Sequence, residues 1–171
     1  MREVVLAVAA KGIFQPLWSD RLLEEWARAA ARHGAEQETY ARGEIALLRA
    51  RWAKSIVQPA PGIEARLWLP DKNDEHVLAS AIAGSADILL TLNAKDFPKN
   101  ILAEEGVTRR DPDGFLCDLW VDFPAEVTSA AFDVQKTAEA LSGESWQIRK
   151  LLKKARLPRL GKTIEAYEKA D

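Results

Sequence analysis

Apolar residues recur at helical spacing from the first turn of the chain. Val4, Val5 and Val8 share one face and predict a helix over 3–11 that Gly12 stops. Ile13-Phe14-Gln15-Pro16-Leu17-Trp18 then reads as a short buried strand, kept brief or irregular by Pro16. Ser19 stands where a helix N-cap belongs, with Asp20 in the first turn. Leu22, Leu23, Trp26, Ala27 and Ala30 form an apolar stripe that runs to Gly34. A further helix is marked by Ala41, Ile45, Leu48 and Trp52, with arginines and glutamates elsewhere on its wheel.

The pattern then breaks. Pro59, Pro61, Gly62 and Pro70 predict a loop with a short extended piece at 65–69. Asp71-Lys72-Asn73-Asp74 offers capping groups for a helix that turns Val77, Leu78, Ala81 and Ile82 inward and ends at Gly84. Asp87-Ile88-Leu89-Leu90-Thr91 is a continuous apolar run, the pattern of a parallel strand covered on both faces. A polar turn over 92–98 leads into a short helical piece, and 107–109 reads as one more strand. Helices alternating with strands predict an α/β three-layer sandwich around a short parallel sheet. From Pro124 the strand signals cease. Val127, Ala131, Val134, Ala138 and Leu141 predict one helix, and Trp146, Leu151, Leu152 and Ala155 a second, closed by Pro158. The chain therefore divides into an α/β domain over 1–122 and a C-terminal helical extension over 123–171.

Composition narrows the class. The 171 residues are 47% hydrophobic and 29% charged, so the chain can bury a core and is not a disordered or fibrous sequence. One cysteine, Cys117, excludes a disulfide framework, and two histidines, His33 and His76, exclude a histidine-rich metal site. A reducing cytoplasm is the natural setting. No apolar run approaches the length of a membrane span. The net charge of −2 conceals an asymmetry, because 147–162 holds seven basic residues and no acid. With −2 on the last nine residues, that leaves −7 on residues 1–146. Such a run is either a solvated helix face or a contact for phosphate or an acidic partner.

Ligands of an open parallel sheet collect beyond the carboxyl ends of its strands. Glu25, Asp74 and Asp96 fall where that rule places a site. Carboxylates without histidine or cysteine suit a hard cation such as Mg²⁺ or Mn²⁺. Each residue also has a plainer reading. Glu24 and Glu25 both flank the apolar stripe, and only Ala29 tilts the balance toward Glu25 as the half-buried one. Asp74 also suits a helix N-terminus, Asp96 a turn, and Asn93 an Asx-turn.

Three strings at these positions resemble the PIN-domain family. They are Pro16-Leu17-Trp18-Ser19-Asp20-Arg21-Leu22-Leu23-Glu24-Glu25-Trp26, Asp71-Lys72-Asn73-Asp74-Glu75-His76-Val77-Leu78-Ala79, and Ala86-Asp87-Ile88-Leu89-Leu90-Thr91-Leu92-Asn93-Ala94-Lys95-Asp96-Phe97. The likeness is greatest to the branch holding VapC-type ribonuclease toxins of toxin–antitoxin pairs. The stretch around Leu151 to Leu160 is similar to the helical extension that some of these carry. The resemblance implies an endoribonuclease that hydrolyses RNA phosphodiester bonds with one or two Mg²⁺ or Mn²⁺ ions, partnered by a small antitoxin. By position it assigns Glu25, Asp74 and Asp96 to the acidic, catalytic metal site and Asn93 to a polar position beside it. Asp71 and His76 fall on capping or packing positions.

One departure stands against these matches. PIN domains open on a strand ending in a metal-ligating Asp, whereas Met1 here already lies in the helix that would follow it. Three readings of that gap are open: the natural start lies upstream of Met1, the chain is a remnant with weakened metal binding, or a second copy fills the gap in a swapped homodimer. If the site is silent, the alternative function is an inactive PIN-like interaction module.

Overall fold

The computed structural model describes residues 1–169; the last two positions of the expected extension, Ala170 and Asp171, lie outside the described residues. The elements run α1 (Arg2–Ala9), β1 (Trp18–Ser19), α2 (Asp20–Ala31), α3 (Ala35–Arg51), β2 (Ile56–Val57), α4 (Pro61–Glu64), α5 (Glu75–Ala83), β3 (Ile88–Leu90), α6 (Lys99–Glu104), β4 (Thr108–Arg110), α7 (Pro112–Asp122), α8 (Pro124–Ser142), α9 (Ile148–Lys154) and α10 (Pro158–Glu168). This is a mixed α/β chain with short parallel strands and a helical C-terminal portion. Among the described residues no helix is long and apolar enough to cross a membrane.

The strands form two separate pairs where one sheet was expected. Trp18 and Ser19 lie in parallel register with Ile56 and Val57. In the second pair Asp87 O accepts from Thr108 N–H and Arg110 O from Thr91 N–H, so both strands advance in the same direction. The expected strand over 13–18 contracts to Trp18–Ser19, since Pro16 removes a ladder donor. The extended piece at 65–69 forms no strand; β2 at Ile56–Val57 takes the place beside β1 instead. Pro158 does not close a helix but opens α10 at its first position, where a missing N–H costs nothing.

The chain forms two compact units. One comprises 16–89 and 93–109. Its core joins Leu69, Leu78, Leu89, Phe97, Leu102 and Val107, with Leu78 and Leu102 fully buried. Truncating such leucines costs about 2–5 kcal/mol. Ser19 caps α2 by accepting the Leu22 N–H at 3.3 Å, the N-cap role that its place before the apolar stripe suggested. α5 ends on Gly84, where a Cβ would stand 2.8 Å from Val57 Cγ2 and 3.0 Å from Leu17 Cδ1. Only glycine lets the helix end approach these side chains so closely.

The other unit comprises 1–15, 90–92 and 110–171. Val4 and Val8 of α1 are buried, as are Val127, Ala130 and Ala131 of α8. Phe14 meets Phe115 edge to face at 5.1 Å, and α8 ends on Gly143 in the left-handed conformation. Asp113, buried in α7, accepts the N–H groups of Arg159 and Leu160 at 2.9 and 3.0 Å. It thus caps α10 from a different helix and places a carboxylate at that helix's positive end.

Candidate metal centre

The candidate site lies within the unit of 16–89 and 93–109. Asp71 precedes a single 3₁₀ turn, Lys72–Asp74, that leads into α5. One of its oxygens, Oδ1, accepts both the backbone N–H and the side-chain amide of Asn73, at 2.9 and 3.0 Å. The capping role expected of Asp71 is present, and it leaves Oδ2 without a hydrogen bond among the described residues. Asp74 follows at the end of the turn, half-buried.

Asp96 sits in the turn between β3 and α6. That turn is tied down from two sides. Phe97 is buried in the core next to Asp96, and the Arg109 guanidinium donates to the carbonyls of Ala94 and Phe97 at 2.7 and 2.8 Å. Asn93 links the two aspartates. Its amide Nδ2 donates to Asp74 Oδ2 and its Oδ1 accepts the Asp96 N–H, each at 3.3 Å.

Asp71, Asp74 and Asp96 each present a carboxylate oxygen, and these oxygens lie within 4.8 Å of one another. A cation with oxygen ligands at about 2.1 Å holds them roughly 3 to 4.2 Å apart, a spacing close to the one these three carboxylates present. An all-oxygen donor set fits Mg²⁺ or Mn²⁺ better than zinc or copper. The electrostatics agree. Burial, then the charges of Asp71 and Asp96, raise the Asp74 carboxyl above its ordinary range; His76 opposes this and Glu25 adds to it. A cation bound there relieves that repulsion.

Glu25 does not join this group. Its carboxylate takes the buried His76 Nε2 at 3.0 Å and the Arg21 guanidinium at 3.3 Å, and Arg21 also reaches Glu64 at 3.0 Å. Glu25 is still close enough to act on Asp74 through its charge. His76 Nδ1 is buried without a partner among the described residues, so the ring is held by Glu25 and by packing. Packing was the role expected of His76, and its bond to Glu25 is added by the fold. Of the four residues singled out from sequence, the structure brings Asp74, Asp96 and Asn93 together with Asp71, and Glu25 lies near enough to act on Asp74 through its charge. The role of Arg109 had no sequence signal, because it depends on how β4 runs beside the turn at 93–98.

These features describe an α/β protein with a cluster of carboxylates that could hold a metal ion. The sequence model of the PIN domain family matches residues 2–95, and the chain belongs to that family. It is a family of nucleases that act on RNA and generally depend on divalent metal. No curated protein and no solved structure matches the chain significantly.

Proposed function

We propose that this protein is a cytoplasmic metal-dependent endoribonuclease and the toxin of a toxin–antitoxin pair. The observation that carries this reading is the convergence of Asp71, Asp74 and Asp96 within one cation's reach. Asp71, Asp74 and Asp96 would hold the ion, and Asn93 fixes Asp74 and Asp96 relative to each other. When bound, the cation supplies water activation and charge neutralisation at a scissile phosphodiester. The paired Glu25 and His76 act on Asp74 through their charges, and Arg109 ties down the Asp96 turn. The toxin assignment is supported by the likeness of the three strings to the VapC-type branch, which also suggests a small antitoxin as partner.

The capture of Glu25 by Arg21 and His76 favours a second reading, an inactive interaction module that keeps the fold. One experiment separates the two. The protein is titrated with Mn²⁺ by calorimetry and incubated with RNA and Mn²⁺ beside Asp74→Asn and Asp96→Asn variants. The nuclease reading expects Mn²⁺ heat and RNA cleavage, both lost in the variants. Absence of both Mn²⁺ heat and cleavage selects the inactive module, and cleavage undiminished in both variants overturns the assignment of the site.

A further inference from the structure

Beside the acidic site, in the same compact unit, lies a cleft of about 700 Å³. Its wall is the extended segment after α4. Leu69 is buried in the core and Leu67 packs against it, so the intervening Trp68 is turned outward and is 68% exposed. Arg66 anchors the segment through paired hydrogen bonds of 2.6 and 2.7 Å to Glu105. Trp68 thus stands on a fixed strut, an uncommon position for so large an apolar surface.

Two polar residues share the cleft. Lys72 belongs to the 3₁₀ turn between Asp71 and Asp74 and makes no ion pair among the described residues. Glu75 opens α5 directly after Asp74. It is only 7% exposed, yet its carboxylate has no hydrogen bond or ion pair among the described residues. Glu64 also lines the cleft, but its carboxylate is occupied by Arg21. The side chain is largely covered while its carboxylate lines the cleft without a partner among the described residues, and the space is wide enough for a ligand that brings donors.

We propose that this cleft binds one nucleotide of the RNA substrate and selects guanine, with Trp68 stacking on the base, Glu75 accepting from its Watson–Crick edge and Lys72 meeting a phosphate. It rests on the ribonuclease reading of the adjacent site. The choice of base follows from donor count. Guanine presents N1–H and the N2 amino group side by side, two donors for the two oxygens of one carboxylate. Adenine and cytosine each set one donor beside an acceptor, and uracil flanks its single N–H with carbonyls that repel a carboxylate. An exposed aromatic side chain stacks on any base, so it supplies affinity, and the unpaired carboxylate of Glu75 supplies the selection.

The test is calorimetry on the whole protein in EDTA, with 5′-GMP, AMP, CMP and UMP as probes and guanosine as the phosphate-free comparison. GMP is expected to bind between about fivefold and a hundredfold more tightly than the other three, the discrimination typical of one bidentate contact. Glu75→Gln should erase that preference, Trp68→Ala should weaken all four nucleotides, and Trp68→Phe should restore them. Lys72→Ala should reduce GMP to the affinity of guanosine. Circular dichroism confirms that each variant is folded, and the exposed Trp68 makes its variants a safe arm should Glu75→Gln unfold. Equal binding of the four nucleotides, or a guanine preference unmoved in the folded variants, overturns the proposal. Because the measurement excludes metal, RNA cleavage without guanine preference removes this inference alone, and guanine preference without cleavage removes the ribonuclease reading alone.

Discussion

Asp74 is the residue at which folding and metal binding oppose each other. Its carboxyl is raised by burial and by Asp71, Asp96 and Glu25, so between the unfolded value near about 3.9 and the higher folded value the native state binds more protons. Stability therefore falls as pH rises through that window, and the penalty persists above it. The Asp74→Asn variant escapes that fall. Without metal at pH 7 it should melt higher by up to about 2 °C, a modest gain because the half-exposed carboxylate is already screened by water. At about pH 3, where both states of the wild type are protonated, the difference should vanish. At pH 7, added Mn²⁺ should raise the melting temperature of the wild type and leave the variant unmoved. A variant less stable than wild type at pH 7 in EDTA would show that Asp74 is needed for structure rather than strained by its neighbours. Asp74, Asp96 and Asn93 were legible in sequence because capping chemistry and a post-strand turn place them near one another. Asp71 had a sufficient reading as a cap, and its second oxygen becomes useful only once the turn at 93–98 is folded against it.

Among elements, legibility followed length and periodicity. α2 and α5 could be read because a stripe, a cap and a terminating residue agreed for each. β2 could not, since Ile56–Val57 is two residues long and has no alternation to detect. α7 and α10 escaped for a shared reason. Each begins with proline at its first helical position, Pro112 and Pro158, and a proline reads more readily as a stop than as a start. Asp111-Pro112 did carry a start signal, because Asp111 accepts the Gly114 N–H at 2.8 Å. The start of α10 lacks a local side-chain cap, and Asp113 supplies one from α7. That contact is buried and joins residues 46 and 47 positions apart, so no local pattern could reveal it. Replacing Asp113 with Ala strands one buried and one part-buried donor and removes a charge from the helix end. It should lower stability by about 2–3 kcal/mol in urea unfolding. Asp113→Asn, which keeps one acceptor oxygen, should lose less. Equal losses in the two variants would mean that packing around α7 governs the effect and the cap does not.

Across the whole molecule, the small net charge is the sum of an acidic majority and a basic stretch at 147–162, and the structure sorts the members of that stretch. Arg149 is paired with Glu165 at 2.8 Å, Lys154 lies over the Trp146 ring at 4.7 Å, and Arg159 uses its backbone N–H in the cap of α10. Lys150, Lys153 and Arg156 are exposed and make no ion pair among the described residues. Together with Lys162 and the Arg159 side chain, which are also exposed and make no ion pair among the described residues, they are the cations free to meet a polyanion. An acidic majority repels RNA, so affinity in low salt must come from such a group if the protein binds RNA outside its metal site. Each phosphate contact to a single strand contributes about 0.7 to the slope of log affinity against log salt. Replacing Lys150, Lys153 and Arg156 together with Gln should thus weaken RNA binding at low salt and reduce the slope by about 2. Mn²⁺ heat and the preference among mononucleotides should be unchanged, because none of the three belongs to the unit that carries the acidic site. A slope identical to wild type would assign the exposed cations to a solvated face or to an acidic protein partner. The RNA would then be held wholly by the acidic site and the groups beside it.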